Sequence, residues 1–244
     1  MVFAVNIEGI DLKYFVKIVH RLYHEIRERY SILYRNRSGF VINSIRAKEN
    51  ILILGARESF IKRLIEHTEN KLTYYLVDKH PCAIGKSKFR FEYSDLNVNI
   101  PYPDNHFDCI VSDQLIEHLS QPDIFIKEIK RVSKNDGTII VGTENLAAWH
   151  NIFALILTLH PFSDHYSAEI RVGNPLSIHH KEKIKDPFMR HFKIPTIRAL
   201  KELLEYYGLT IMDIRGFGHL LPFGTYFDKY HSIQFVIVCK NAVK

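Results

Sequence analysis

Three carboxylates, one amide and two imidazoles of this chain stand where side-chain chemistry and element geometry coincide. Asp78, Asp95 and Asp113 each fall at or just past the end of a short run rich in aliphatic or aromatic residues, and Gln114 follows Asp113 directly. An ionised carboxylate offers two acceptor oxygens, so an acid placed there can take hydrogen bonds from a ligand's hydroxyl or amino groups. Gly55 closes the run Asn50 to Leu54, and a residue without Cβ lets the backbone turn tightly and a ligand approach it. His118 and His150 come after two later runs. An unperturbed imidazole titrates near pH 6.5, so either ring can exchange a proton with a reacting group near neutrality. Each residue also has an ordinary role open to it, as a turn acid or a hydrogen-bonded histidine. Their shared register with strand ends favours a site.

The elements that position these groups are legible from patterning. Strands are predicted over Asn50 to Leu54, Leu72 to Val77 and Phe89 to Tyr93. The stretch Asp95 to Asn145 then reads as loop, strand, loop, helix, turn, strand. Cys109-Ile110-Val111 is an apolar run that meets polar Ser112-Asp113-Gln114. Ser120 with Asp123 forms a capping-box pattern, and Pro122 sits where a first helical turn tolerates it. Asn135-Asp136-Gly137 predicts a turn, and Thr138 to Val141 a strand. Ile197 to Tyr207 predicts an amphipathic helix with Thr196 as N-cap and Gly208 as stop. Leu209 to Arg215 and Ser232 to Lys240 complete the strands. Strands alternating with helices make a parallel α/β sheet, and such sheets bind ligands outside the carboxyl ends of their strands.

Several spaced motifs agree in order with one family. Pro101-Tyr102-Pro103-Asp104-Asn105-His106-Phe107-Asp108, then Glu117-His118-Leu119, then Lys134-Asn135-Asp136-Gly137 resemble the second half of a class I S-adenosylmethionine-dependent methyltransferase domain, of the methyltransferase type 11 kind. The resemblance covers about residues 48–143 and 194–240. It implies an α/β, Rossmann-like seven-stranded sheet flanked by helices, its seventh strand antiparallel between the fifth and sixth. It further implies S-adenosylmethionine as cofactor. Gly55 and Ala56 would approach the cofactor, Asp78 would hold its ribose, Asp95 and Leu96 would meet adenine, and Asp113 and Gln114 would lie near the methionine end. His118 and His150 are the catalytic candidates. Asn145 and Trp149 are the substrate-side candidates, because Asn145-Leu146-Ala147-Ala148-Trp149-His150-Asn151 is similar to a run in some family members.

The sequence departs from the family at its glycine-rich turn. Ile53-Leu54-Gly55-Ala56-Arg57-Glu58-Ser59 keeps one glycine, with Ile53 in place of the family's acid and Arg57 and Ser59 in place of later glycines. Two functions therefore compete: methyl transfer to a small-molecule, glycan or lipid-like acceptor, and a catalytically inactive binding or scaffold protein with a degenerate cofactor loop. Ser112-Asp113-Gln114-Leu115 lacks the motif of DNA exocyclic-amine methyltransferases, and no Pro-Cys nucleophile of cytosine-C5 enzymes is present.

Outside the resemblance lie two further segments. Leu12 to Leu33 has the apolar spacing of a long amphipathic helix, and residues 11–37 hold seven Lys or Arg against three Asp or Glu. This gives an N-terminal helical extension over 1–45 whose basic face is solvated or meets RNA or another anionic surface. Residues 46–244 form the methyltransferase-like domain, with a cap insertion at about 144–195 that carries six of the fourteen histidines. Within it, Ala147 to His160 is an apolar helix candidate. Phe153 to Leu159 should pack against the N-terminal helix or a partner, such as a second copy in a homodimer, while Trp149 and His150 face the cleft.

The chain has 33 Lys or Arg and 27 Asp or Glu, a net charge of +6, and 46% hydrophobic residues. That composition fits a globular core and permits anionic partners without requiring one. Cys82, Cys109 and Cys239 are far apart and form no C-x-x-C, and His179-His180 has no carboxylate or Cys at ligand spacing, so no metal is expected. No secretory leader or membrane span is expected. The localisation expected is cytoplasmic.

Overall fold

The computed structural model describes residues 36–45, 49–55, 58–67, 73–80, 89–185, 190–218 and 230–242. In chain order these form helix α1 over 36–45, β1 Asn50–Leu54, α2 Glu58–His67, β2 Thr73–Asp78, β3 Phe89–Tyr93, β4 Phe107–Asp113, a 3-10 turn Ile116–His118, α3 Pro122–Val132, β5 Ser133–Glu144, α4 Trp149–Ile156, α5 Ile197–Tyr206, β6 Thr210–Phe217 and β7 Gln234–Lys240. The expected helix over Leu12 to Leu33 lies outside the described residues.

Among the described residues, seven strands form one sheet in the order β3-β2-β1-β4-β5-β7-β6. The first five run parallel, and β7 is antiparallel to both β5 and β6. This is the sheet the motifs imply. The side-chain period of two divides β1 between two cores. Leu52 and Leu54 join Phe125, Ile126 and Ile129 of α3 and Leu200 and Leu204 of α5 on one face. Ile51 and Ile53 join Ile42 and Ile45 of α1 and Phe60, Ile61 and Leu64 of α2 on the other. Strands buried on both faces read as continuous apolar runs, which is why β1 and β4 were visible in sequence.

Local chemistry ends the helices where it should, with one exception. Thr196 caps α5, its Oγ1 accepting from Ala199 N at 3.2 Å, and Gly208 stops it at φ 80°. The capping box at α3 does not form. Gln121 is the N-cap, with no side-chain cap bond. The Ser120 amide, the Ser120 hydroxyl and the Gln121 amide all donate to Asn97 Oδ1, at 2.8, 3.1 and 3.1 Å. The loop after β3 thus supplies the acceptor that Ser120 was expected to supply.

The Asn135-Asp136-Gly137 turn becomes a bulge inside a longer β5. Phe107 pairs with Ser133 and Cys109 with Thr138, so five steps along β5 oppose two along β4. Asp136 takes φ 61° to make the excursion. Cys109 and Cys239 are free and buried, and burial pushes the Cys239 thiol up to about 12. They act as small core hydrophobes.

The helix after β5 is shorter than Ala147 to His160. It ends at Ile156, followed by Thr158 at φ 60°. Among the described residues, 157–185 and 190–196 then run irregularly, with one isolated bridge, Ile170 to Lys183. Among the described residues Phe153, Leu155, Ile156 and Leu157 are 49–69% exposed; the N-terminal helix that Phe153 to Leu159 was expected to pack against lies outside them. No helix among the described residues is long and apolar enough to cross a membrane.

Candidate functional site

The strand order reverses direction between β1 and β4, whose successors β2 and β5 lie on opposite sides. A crevice opens at the carboxyl ends where a parallel sheet reverses in this way. Gly55, Asp78, Asp95, Asp113, Gln114, Glu117 and His118 all stand on that rim, each at or shortly after the end of β1, β2, β3 or β4.

Gly55 donates its amide to Val77 O at 3.1 Å, which ties the end of β1 to β2. Its φ is 67°, and a Cβ there would lie 2.9 Å from Leu115 Cδ1. Glycine is required on both counts. Ala56 and Arg57 lie outside the described residues, and Glu58 and Ser59 open α2. Asp78 is partly exposed, and its Oδ1 accepts from His80 N at 2.8 Å. Asp95 Oδ1 accepts from the Asn97 amide at 3.0 Å and its Nδ2 at 2.9 Å, with Lys79 Nζ 3.7 Å from Oδ2. The backbone bond from Asn97 leads in holding this carboxyl below its usual range. Leu96 is buried, and its side chain belongs to the core rather than to the rim.

At β4 the rim is occupied by a polar network that sequence reasoning missed. Arg37 of α1 is 2% exposed, and its Nη2 lies 3.1 Å from Asp113 Oδ2. Its Nη1 donates to Gln234 Oε1, and Gln234 Nε2 donates to Gln114 Oε1 at 3.1 Å. Gln114 sits at φ 58°. The pair Asp113 and Gln114 was identified, but not the cation that meets it. Arg37 looked like one more member of the basic N-terminal stretch, and nothing in its local pattern marks it as buried.

The cap side is built by hydrogen bonds to backbone carbonyls. Asn145 is fully buried; its Nδ2 donates to the carbonyls of Tyr230 and Ser232 at 2.7 and 2.8 Å, and its Oδ1 accepts from Ala147 N at 3.0 Å. Those bonds fix the turn into α4, so Asn145 holds the scaffold instead of presenting its amide to a ligand. The Trp149 ring lies 4.5 Å from that of His231 and 5.7 Å from that of Phe153. His150 Nε2 is 3.2 Å from Ser163 Oγ.

Burial lowers the pKa of His150 below its ordinary value near 6.5, against an opposing pull from Glu144. The unfolded chain therefore takes up this proton at a higher pH than the folded chain. The stability linked to the neutral ring is complete above about pH 6.5 and is lost as pH falls toward the lowered value. Urea denaturation at about pH 7.5 and 5.5 should show a larger loss for the wild type than for His150→Gln. Equal losses would remove His150 from the titration.

Across the rim from Asp95, the turn after β4 meets the end of the cap. The carbonyl of Glu117 accepts from the amides of Phe192 and Lys193 at 2.7 and 3.3 Å. Arg190 O accepts from His118 Nδ1 at 2.9 Å. These bonds bring His191 to a ring distance of 4.8 Å from His118, with His165 stacked on its far side at 5.0 Å. Glu117 is fully buried, and its Oε2 accepts from Thr143 Oγ1 at 2.8 Å. His118 was identified from sequence; Glu117 and His191 were not.

A family model described as a methyltransferase domain matches residues 58–141. Over 110 residues the chain is 30% identical to the mitochondrial ubiquinone biosynthesis O-methyltransferase of Dictyostelium discoideum, covering 45% of this chain and 30% of that protein. The alignments span 19–30% of the length of the curated relatives matched. Among solved structures, a 1,6-didemethyltoxoflavin-N1-methyltransferase of Burkholderia thailandensis, with its namesake ligand and S-adenosylhomocysteine bound, superposes with a TM-score of 0.55 at 12% identity over 96% of this chain and 92% of that one. A methyltransferase of Methanosarcina mazei described as dependent on S-adenosylmethionine gives 0.55 at 18% identity over 84% and 98%. The fold is that of the class I S-adenosylmethionine-dependent methyltransferases, as the motifs indicated, and residues 58–141 match the methyltransferase-domain model.

Proposed function

We propose that this chain is an S-adenosylmethionine-dependent methyltransferase acting on a small-molecule, glycan or lipid-like acceptor. The observation that carries the proposal is Gly55. It keeps a left-handed turn at the β1 end, hydrogen-bonded to β2 one residue before Asp78, where a dinucleotide-type ligand needs close backbone approach and a ribose acid. The matched methyltransferase domain supports the same reading.

In this reading Gly55 and Ala56 approach the cofactor, Asp78 accepts from its ribose hydroxyls, and Asp95 with the Leu96 backbone meets the adenine. Asp113 and Gln114 shape the methionine end from within the Arg37 and Gln234 network. Bound there, S-adenosylmethionine would supply a methyl group on a sulfonium, transferred in line to the acceptor atom. His118 and His150 lie toward the acceptor as candidate proton acceptors, and Trp149 lines that side. Positioning and exclusion of water do most of the work in such a transfer, with a base needed only for a protonated acceptor.

A second reading rests on one observation: the Arg37 guanidinium already neutralises Asp113 at the strand end. A cofactor loop with one glycine beside a strand-end carboxylate that already has its cation suits a scaffold that has lost its ligand. Calorimetric titration with S-adenosylmethionine and S-adenosylhomocysteine separates the two. Saturable binding of both is expected; no heat with either at high protein concentration would leave the scaffold reading standing.

A further inference from the structure

We infer that Glu117, His118 and His191 form a binding site for a divalent transition-metal ion of the zinc type. One ligand atom from each of the three residues lies within 4.8 Å of the others. That spacing lets a single ion touch all three, since metal–nitrogen and metal–oxygen bonds run to about 2.0–2.2 Å.

The hydrogen bonds around the cluster prepare the donors. His118 Nδ1 faces the carbonyl of Arg190, and His191 Nδ1 faces the carbonyl of Ser163. A carbonyl only accepts, so each Nδ1 carries the proton and each Nε2 carries the ring's lone pair. In metal-ligating histidines one ring nitrogen commonly donates to a carbonyl, which leaves the other for an ion. The hydroxyl of Thr143 on β5 orients the Glu117 carboxylate. The three side chains are therefore held by partners from β5 and from two points of the cap, Ser163 and Arg190.

Two imidazoles and one carboxylate suit zinc or ferrous iron better than magnesium or calcium, which prefer an all-oxygen shell. Three protein donors leave coordination positions open. The site lies on the rim beyond β4, beside the cap; with an ion bound, His118 serves as a ligand and His150 is left as the candidate proton acceptor. The metal site itself rests on the donor geometry alone and does not depend on the cofactor reading.

The test uses the full chain stripped with chelator and titrated with Zn²⁺, and with Co²⁺ read by visible absorption. One ion per chain is expected, with a Co²⁺ spectrum of low-symmetry nitrogen and oxygen coordination. Thr143→Val keeps all three donors and should weaken binding by about 10–100-fold, the range for loss of an outer hydrogen-bond partner. Glu117→Gln and His191→Ala should weaken it further, with circular dichroism confirming that each variant folds. A wild type that takes up neither ion saturably overturns the inference, as do folded Glu117→Gln and His191→Ala variants that bind as tightly as the wild type. Should those two variants not fold, the wild-type titration and Thr143→Val decide. S-adenosylhomocysteine binding by the same stripped protein is measured alongside, so the metal site and the proposed function can each fail alone.

Discussion

Arg37→Ala should lower folding stability by about 3–5 kcal/mol, the range for removing one partner of a buried ion pair. Both groups are nearly inaccessible, with side chains 2% and 7% exposed. The substitution leaves Asp113 inside the protein without its cation, and Gln234 Oε1 loses the Nη1 donor at the same time. The cost comes mainly from the stranded carboxylate and not from the lost attraction. Asp113→Asn in the Arg37→Ala background should therefore regain part of the loss, because a neutral amide costs less to bury. Urea denaturation of the wild type, the single variant and the double variant measures both steps. A loss below about 1 kcal/mol for Arg37→Ala would mean that water reaches the pair and that it behaves as a surface salt bridge.

Asp78→Ala should weaken S-adenosylmethionine binding about 10- to 100-fold. Each charge-assisted hydrogen bond to a ribose hydroxyl is worth about 1.5–3 kcal/mol, and each 1.4 kcal/mol is a factor of ten. The fold should change little, since Asp78 ends its strand partly exposed and the bond to His80 N belongs to an exposed turn. Titration of both proteins with S-adenosylmethionine, alongside their urea midpoints, separates a binding loss from unfolding. Equal affinity in the two would take Asp78 out of the site and strengthen the scaffold reading. The two substitutions pull apart the roles of the rim. Arg37 is expected to move stability first, and Asp78 affinity alone.

Much of the fold was readable in the sequence because its signals are local and periodic. Asn50 to Leu54 and Cys109 to Val111 are buried on both faces and so appear as unbroken apolar runs. The α3 face repeats as Phe125, Ile126, Ile129 and Val132, and Thr196 caps α5 with an atom three residues from its target. An acid at a strand end needs only the strand to be placed, which is why Asp78, Asp95 and Asp113 fell on the rim as expected.

Tertiary structure alone decided which polar groups meet. Arg37 and Asp113 are 76 residues apart in sequence, and the guanidinium reaches the rim only because α1 packs Ile42 and Ile45 onto the sheet. His118 bonds a carbonyl 72 residues away, which delivers His191 beside it and gathers Glu117, His118 and His191, a grouping that no spacing along the chain records. The Ser120 cap failed for the same reason: Asn97, 23 residues upstream, reached the helix start first. Periodicity sets which face of an element is buried. The partner of a buried charge or an imidazole depends on how distant loops are zipped together by backbone hydrogen bonds, and no short-range pattern records that.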